Sequence, residues 1–244
     1  MIDWLRRDKA PPTVRIGDTD LPLAIRRHAR ATRLTMRLAP DGSEVRITLP
    51  RWGRTAEAVA FANTRAEWLE QQLVRVPRAD PPGPGGMVAY RGERLKIDWD
   101  SGFPRKPALS EGNLRIGGPA ETVAARTRRW LEGEAMQLMS ADLAEYCQRA
   151  ERPVPPLKLS RAGRRWGSCA GGRDGAYCIR INWRLIQAPD AVRRSVVAHE
   201  VAHLVHFDHS PAFRALLADL FEGPIAEADD WLRREGRSLY AAFG

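Results

Sequence analysis

Residues 189–211 read Pro189-Asp190-Ala191-Val192-Arg193-Arg194-Ser195-Val196-Val197-Ala198-His199-Glu200-Val201-Ala202-His203-Leu204-Val205-His206-Phe207-Asp208-His209-Ser210-Pro211. Val192, Val196, Val197, Val201, Leu204 and Val205 recur at helical spacing, and Pro189 suits a first helical turn. The spacing therefore predicts a helix from Pro189 to about His206. Ser210-Pro211 opens a second helix, expected through Phe221. Inside the first, the apolar run is broken by His199-Glu200-x-x-His203. Residues at i and i+4 stand one above the other on a helix, so both imidazoles can reach one ion. A glutamate and two histidines in such a segment are costly to bury unless they have a role that compensates.

Four of the five histidines lie between positions 199 and 209. Zinc takes neutral imidazole nitrogens at about 2.0–2.1 Å, and catalytic sites use three protein ligands with one place left for water. Glu200, beside the first imidazole, suits a base that takes a proton from that water and delivers it to a leaving amine. The expected activity is that of a zinc-dependent metallopeptidase acting on a peptide or protein substrate, with Glu200 as general base. His206 is not expected as a ligand: it lies seven residues past His199, about 10.5 Å along the axis at 1.5 Å per residue, beyond the reach of one ion. His209 follows the expected helix end and can fold back. Glu222, Glu227 and Asp229 are the alternatives for the third place. The His199–His203–His209 spacing matches metzincins, except that His206 stands where their turn glycine would be.

Three further stretches accompany this motif: Arg165-Trp166-Gly167-Ser168-Cys169, Ile181-Asn182-Trp183-Arg184-Leu185-Ile186-Gln187-Ala188-Pro189 and His209-Ser210-Pro211-Ala212-Phe213. With His199–Leu204 they resemble the YgjP-like metallopeptidases, relatives of the SprT-like and WLM zinc proteases, over about residues 155–220. The resemblance implies a minimal zincin-like core, a small sheet packed on the active-site helix. It implies His199, His203 and His209 as zinc ligands and Glu200 as base. It also implies a substrate that adds as an extended strand to a sheet edge, with Ala176–Asn182 as the candidate edge. Asp208 and Arg214 stand where the family usually shows Asn and Trp. Trp166 and Trp183 read as core residues. Arg165 reads either as a contact to a substrate carbonyl or carboxylate, or as a surface ion pair. Because SprT-like and WLM relatives act on proteins crosslinked to DNA, an alternative is a DNA-associated protein whose peptidase acts on DNA-bound or crosslinked proteins. An inactive metal-binding module is a third reading, opposed by the intact Glu200.

Upstream, the fold class reads as α+β, a strand-rich N-terminal region followed by the zincin-like core. Residues 14–50 read as strands, with a hairpin around Pro40-Asp41-Gly42-Ser43. Residues 55–75 read as a helix with Ala58, Val59, Ala62, Trp68, Leu69 and Leu73 on one face and Thr55 as N-cap. Strands resume at 88–90, 95–99 and 113–116, and a long helix spans about Glu121 to Ala150 before Pro153-Val154-Pro155-Pro156. The expected division is residues 1–150, the strand-rich region with its long helix, and residues 151–244, the catalytic core. The Pro/Gly-rich stretch 77–86 is expected as a loop inside the first of these.

The 244-residue chain carries a net charge of +9, mostly from scattered arginine. Such a balance favours polyanionic or acidic partners. Weak nucleic-acid binding through phosphates, without sequence preference, is the expectation it raises, with Arg26, Arg27, Arg30, Arg33 and Arg37 as candidates to line one face. No apolar run approaches the ~20 residues of a bilayer span, and Met1–Arg7 carries no secretion signal, so a cytoplasmic address is expected. Cys147, Cys169 and Cys178 lack CxxC spacing and read as reduced structural thiols. Cys169 and Cys178 are placed to face each other across a hairpin.

Overall fold

The computed structural model describes residues 12–39, 42–74, 76, 82–163, 165–171 and 177–243. The chain divides into two compact units, Met1–Arg78 and Ala79–Gly244. The architecture is α+β with a strand-rich N-terminus, as the sequence indicates.

In the first unit, β1 (Thr13–Ile16), β2 (Thr19–His28), β3 (Thr35–Leu38) and β4 (Val45–Pro50) form one sheet in the order β1-β2-β4-β3. The expected hairpin is β3–β4, with Thr35 opposite Thr48 and Leu38 opposite Val45. Pro40 and Asp41 of its turn lie outside the described residues. The period-2 alternation sends Val45, Ile47 and Leu49 into a core with Val14, Ile16, Leu21 and Leu23. The 55–75 region is two helices, α1 (Thr55–Asn63) and α2 (Ala66–Val74). The N-cap is Arg54, whose backbone N–H donates to Glu57 Oε2 at 3.1 Å, so the helix starts one residue from where Thr55 was expected to cap it. The break between α1 and α2 turns Trp68 outward while Ala58, Ala62 and Leu69 stay buried. Arg26 and Arg27 are neighbours in β2 and so point to opposite faces of the sheet. Arg27 donates to the Gly53 carbonyl and Thr55 Oγ1, at 3.2 and 3.0 Å.

The second unit begins with a sheet of β5 (Met87–Tyr90), β6 (Glu93–Trp99), β7 (Ala108–Ser110) and β8 (Asn113–Ile116), ordered β5-β6-β8-β7. Helix α3 (Val123–Arg149) follows, then a smaller sheet of β9 (Leu157–Ser160), β10 (Gly167–Gly171) and β11 (Tyr177–Asn182) in the order β10-β11-β9. Helices α4 (Asp190–Ala202), α5 (Pro211–Leu220) and α6 (Ile225–Glu235) complete it. The division of the chain falls within the Pro/Gly stretch, of which residues 77–81 lie outside the described residues, and not near residue 150 as expected. The cause is α3. Its inward stripe (Val123, Thr127, Leu131, Ala135, Met139, Leu143, Tyr146, Cys147) is shared with Val196, Val197 and Val201 of α4 in one core, so the long helix belongs to the catalytic unit. Full burial of each large side chain in that stripe contributes about 1.5–3 kcal/mol.

Charge reinforces the same interface. Asp142 and Arg193, 5% and 3% exposed in their side chains, pair at 2.8 Å, and Arg194 reaches Asp142 and Glu145 at 3.0 and 2.9 Å. The Asn182 side chain closes the next junction: Oδ1 accepts from Arg184 N, and Nδ2 donates to the Ala162 carbonyl and Tyr240 Oη. Trp183 is fully buried, the core role expected of it. Among the described residues no helix is long and apolar enough to cross a membrane.

Candidate metal centre

Helix α4 places His199 and His203 one turn apart, with the His203 backbone N–H donating to the His199 carbonyl at 3.3 Å. The helix ends at Ala202, earlier than the expected His206, and residues 203–205 form a turn. The His206 carbonyl thereby comes 3.0 Å from His203 Nδ1. A bond there fixes the His203 tautomer with Nδ1 protonated and leaves Nε2 free to bind a cation, the orienting contact that ligand imidazoles require. His206 thus serves through its backbone, and its ring is not part of the cluster.

The chain then doubles back, and His209 precedes the capped start of α5. Ser210 Oγ accepts from Phe213 N at 3.3 Å and Pro211 occupies the first turn, as the Ser-Pro signal indicates. One ligand atom from each of His199, His203 and His209 lies within 4.8 Å of the others. His199 Nε2 and His209 Nε2 are 3.2 Å apart. Two nitrogens held at zinc's bond length and a tetrahedral angle are separated by roughly 3.3 Å, so the donor set fits the ion. Phe213, buried beneath the cluster, contacts all three rings, with centroids 5.0, 4.6 and 4.9 Å from those of His199, His203 and His209. Burial, then the neighbouring His203 and His209, lowers the pKa of His199 to about 4, which keeps its imidazole neutral and available as a donor.

The downstream carboxylates are elsewhere. Glu222 accepts from Arg194 Nε at 2.5 Å and from Tyr146 Oη at 2.8 Å. Glu227 lies in the first turn of α6, and Asp229 borders the cavity beside Glu200 without joining the histidine cluster. Among the described residues, no group of three or more potential ligands includes them.

Glu200 is buried, and its Oε2 has no hydrogen-bond partner. Burial raises its carboxyl to about 7, opposed by the Cys169 backbone N–H that donates to it and by the Arg165 charge. Such a group is poised to exchange a proton near neutrality. Gly167 explains part of the Arg165–Cys169 motif: a Cβ there would stand 2.4 Å from Glu200 Oε1 and 2.7 Å from its Cγ. The glycine lets β10 lie against the carboxylate. The sequence marks this segment as part of a motif and not as a strand, since Gly, Ser, Cys and Ala carry little strand signal.

β11 is the central strand of its sheet, paired with β10 on one side and β9 on the other. The expected edge at 176–182 is therefore corrected: an edge cannot be a strand whose two sides are both occupied, and the edge beside Glu200 is β10. Ala176 itself lies outside the described residues. In the β10–β11 register Cys169 opposes Ile179 and Cys178 opposes Ala170, so the two thiols point to opposite faces and do not meet across the hairpin. All three cysteines are free, and burial pushes the Cys147 and Cys169 thiols up to about 11.

Two apolar features flank Glu200 along β10. At the Gly167 end is a cavity of about 260 Å³ that reaches His199 and Glu200, with Trp166, Val196, Leu217, Ile225 and Leu232 in its walls. Trp166 is thus a cavity wall as well as a core residue, tilted against Tyr240 at 5.7 Å. Arg165 and Asp229 border the cavity and make no ion pair with any described residue. At the Gly171 end Tyr177 stacks on Phe207 at 5.6 Å, and Phe207 is 60% exposed.

Residues 33–235 match the family described as YgjP-like, metallopeptidase domain. No curated protein and no solved structure matches the chain significantly. The matched span takes in every residue of the histidine cluster and Glu200, and most of the chain with them: the protein belongs to the YgjP-like metallopeptidase family.

Proposed function

We propose that this chain is a zinc-dependent peptidase in which His199, His203 and His209 hold the metal and Glu200 is the general base. The observation that carries the reading is the convergence of three imidazole donors beside a buried carboxylate with an unpartnered oxygen. A zinc ion held there would supply a Lewis acid for the scissile carbonyl and would acidify the attacking water. Glu200 Oε2 takes the proton from that water and passes it to the leaving amine. Cys169 N–H holds the carboxylate in place, and with the charge of Arg165 it limits how far burial raises its basicity. The His206 carbonyl keeps His203 in one tautomer.

The substrate lies extended along the β10 edge, so that its backbone pairs with the strand and its side chains on one face reach the two apolar features. The 260 Å³ cavity is smaller than a typical small-molecule site of about 300–1,000 Å³ and suits one side chain. Five of its lining residues, Trp166, Val196, Leu217, Ile225 and Leu232, are apolar, and Ser195 Oγ already donates to the Val192 carbonyl at 2.9 Å, while the charges of Arg165 and Asp229 also border it. An apolar side chain beside the scissile bond is favoured there, because it would bury its surface against those five apolar walls.

Digestion of an unbiased peptide mixture tests the function. The zinc-loaded protein is expected to cut next to Leu, Ile, Met or Phe, with Leu232→Trp shifting the cuts towards smaller residues. Absence of any cleavage by the zinc-loaded wild type would refute the peptidase reading.

A further inference from the structure

A second concavity of about 590 Å³ lies in the same unit and shares no lining residue with the cavity beside Glu200. It runs along α3 between Arg126 and Gln137 and is closed by Arg105, Lys106 and Pro107 from the segment between β6 and β7. We propose that this groove binds a ligand through phosphate groups that together carry two or more negative charges.

Charge makes the first argument. Arg105, Lys106, Arg126 and Arg129 converge on the groove, against one carboxylate, Glu134. Glu134 is engaged elsewhere, accepting from Tyr90 Oη at 2.7 Å. None of the four cations pairs with a carboxylate among the described residues, and Arg126 donates only to the Gly117 carbonyl. Other arginines of this unit do have acidic partners: Arg91 with Asp190, Arg115 with Asp98, Arg128 with Glu132, Arg149 with Glu145. Four cations without an acidic partner among the described residues thus meet at one concave surface. Three guanidinium forks suit phosphate oxygens, and one monovalent anion would leave most of the charge unmatched.

Gly133 makes the second argument. It sits in the interior of a 27-residue helix, where glycine is a poor helix former. Packing does not require it, since a Cβ there would meet nothing within 4 Å. Its missing side chain instead leaves the helix surface bare between Arg126, Arg129, Trp130 and Gln137, and that bare surface is part of the groove. The groove's volume also falls within the range of small-ligand sites, about 300–1,000 Å³.

Calorimetric titration of the 244-residue chain with inorganic phosphate, and separately with a short oligothymidylate, tests the proposal. Saturable binding is expected, weakened roughly ten- to a hundredfold by Arg129→Glu. Gly133→Gln adds no charge and fills the bare surface, so it is expected to weaken binding while raising Tm, which separates blockage from misfolding. Phosphate bound as tightly as the oligonucleotide supports a small phosphorylated ligand. A much tighter strand, losing affinity steeply between about 50 and 200 mM salt, supports a nucleic-acid backbone as the source of the phosphates. No saturable binding of either probe, or binding unchanged in both variants, would overturn the proposal.

Discussion

Glu200→Gln protein is expected to bind the same amount of metal as the wild type and to hydrolyse peptides about 10²–10⁴-fold more slowly. The amide keeps the size of the carboxylate and its place against Gly167, where a Cβ would stand only 2.4 Å away. It cannot accept the proton from water, and the three imidazoles are untouched. Metal analysis beside a single-turnover peptide assay reads both halves of the expectation. Full activity in a metal-replete Glu200→Gln protein would remove Glu200 from the chemistry.

The largest effect on stability is expected at Asp142. With Arg193 it forms a pair whose side chains are 5% and 3% exposed, and it also receives Arg194 at 3.0 Å. Asp142→Ala leaves a buried guanidinium without its main partner, and breaking such a pair costs about 3–5 kcal/mol. Arg193 retains Asp190 and Arg194 retains Glu145 and Glu222, which favours the lower end of that range. Asp230→Ala is the contrast. It removes the contacts to Arg233 and Arg234, whose side chains are 72% and 66% exposed, and exposed pairs contribute about 0–1 kcal/mol. Denaturant midpoints of the two variants measure the difference, and equal losses would show that the α3–α4 charge cluster carries no special weight.

The active-site helix was legible because its information is local. His199 and His203 need only helical spacing to face one ion, and Ser210-Pro211 announces α5. The end of α4 was not legible: the chain leaves the helix at Ala202 so that the His206 carbonyl reaches His203 Nδ1, a contact with no sequence pattern. β10 was missed for a related reason. In Gly167-Ser168-Cys169-Ala170-Gly171 the first glycine is set by the lack of room beside Glu200, and the small residues that follow carry little strand propensity. The allegiance of α3 was hidden because its buried stripe includes Thr127 and Asp142, polar residues that read as surface until Arg193 and Arg194 are seen opposite them. Phe213, which touches all three imidazoles, was quoted in a motif without a role, since its contacts join segments that only the folded chain brings together.

The most direct test of the metal centre is elemental analysis of the purified wild type beside His209→Ala and His206→Ala. The wild type is expected to hold one zinc per chain. His209→Ala should lose it, because an imidazole nitrogen 3.2 Å from His199 Nε2 is removed. His206→Ala should keep it, because that residue acts on His203 through a backbone carbonyl that alanine retains. Metal kept by His209→Ala and lost by His206→Ala would contradict the assignment.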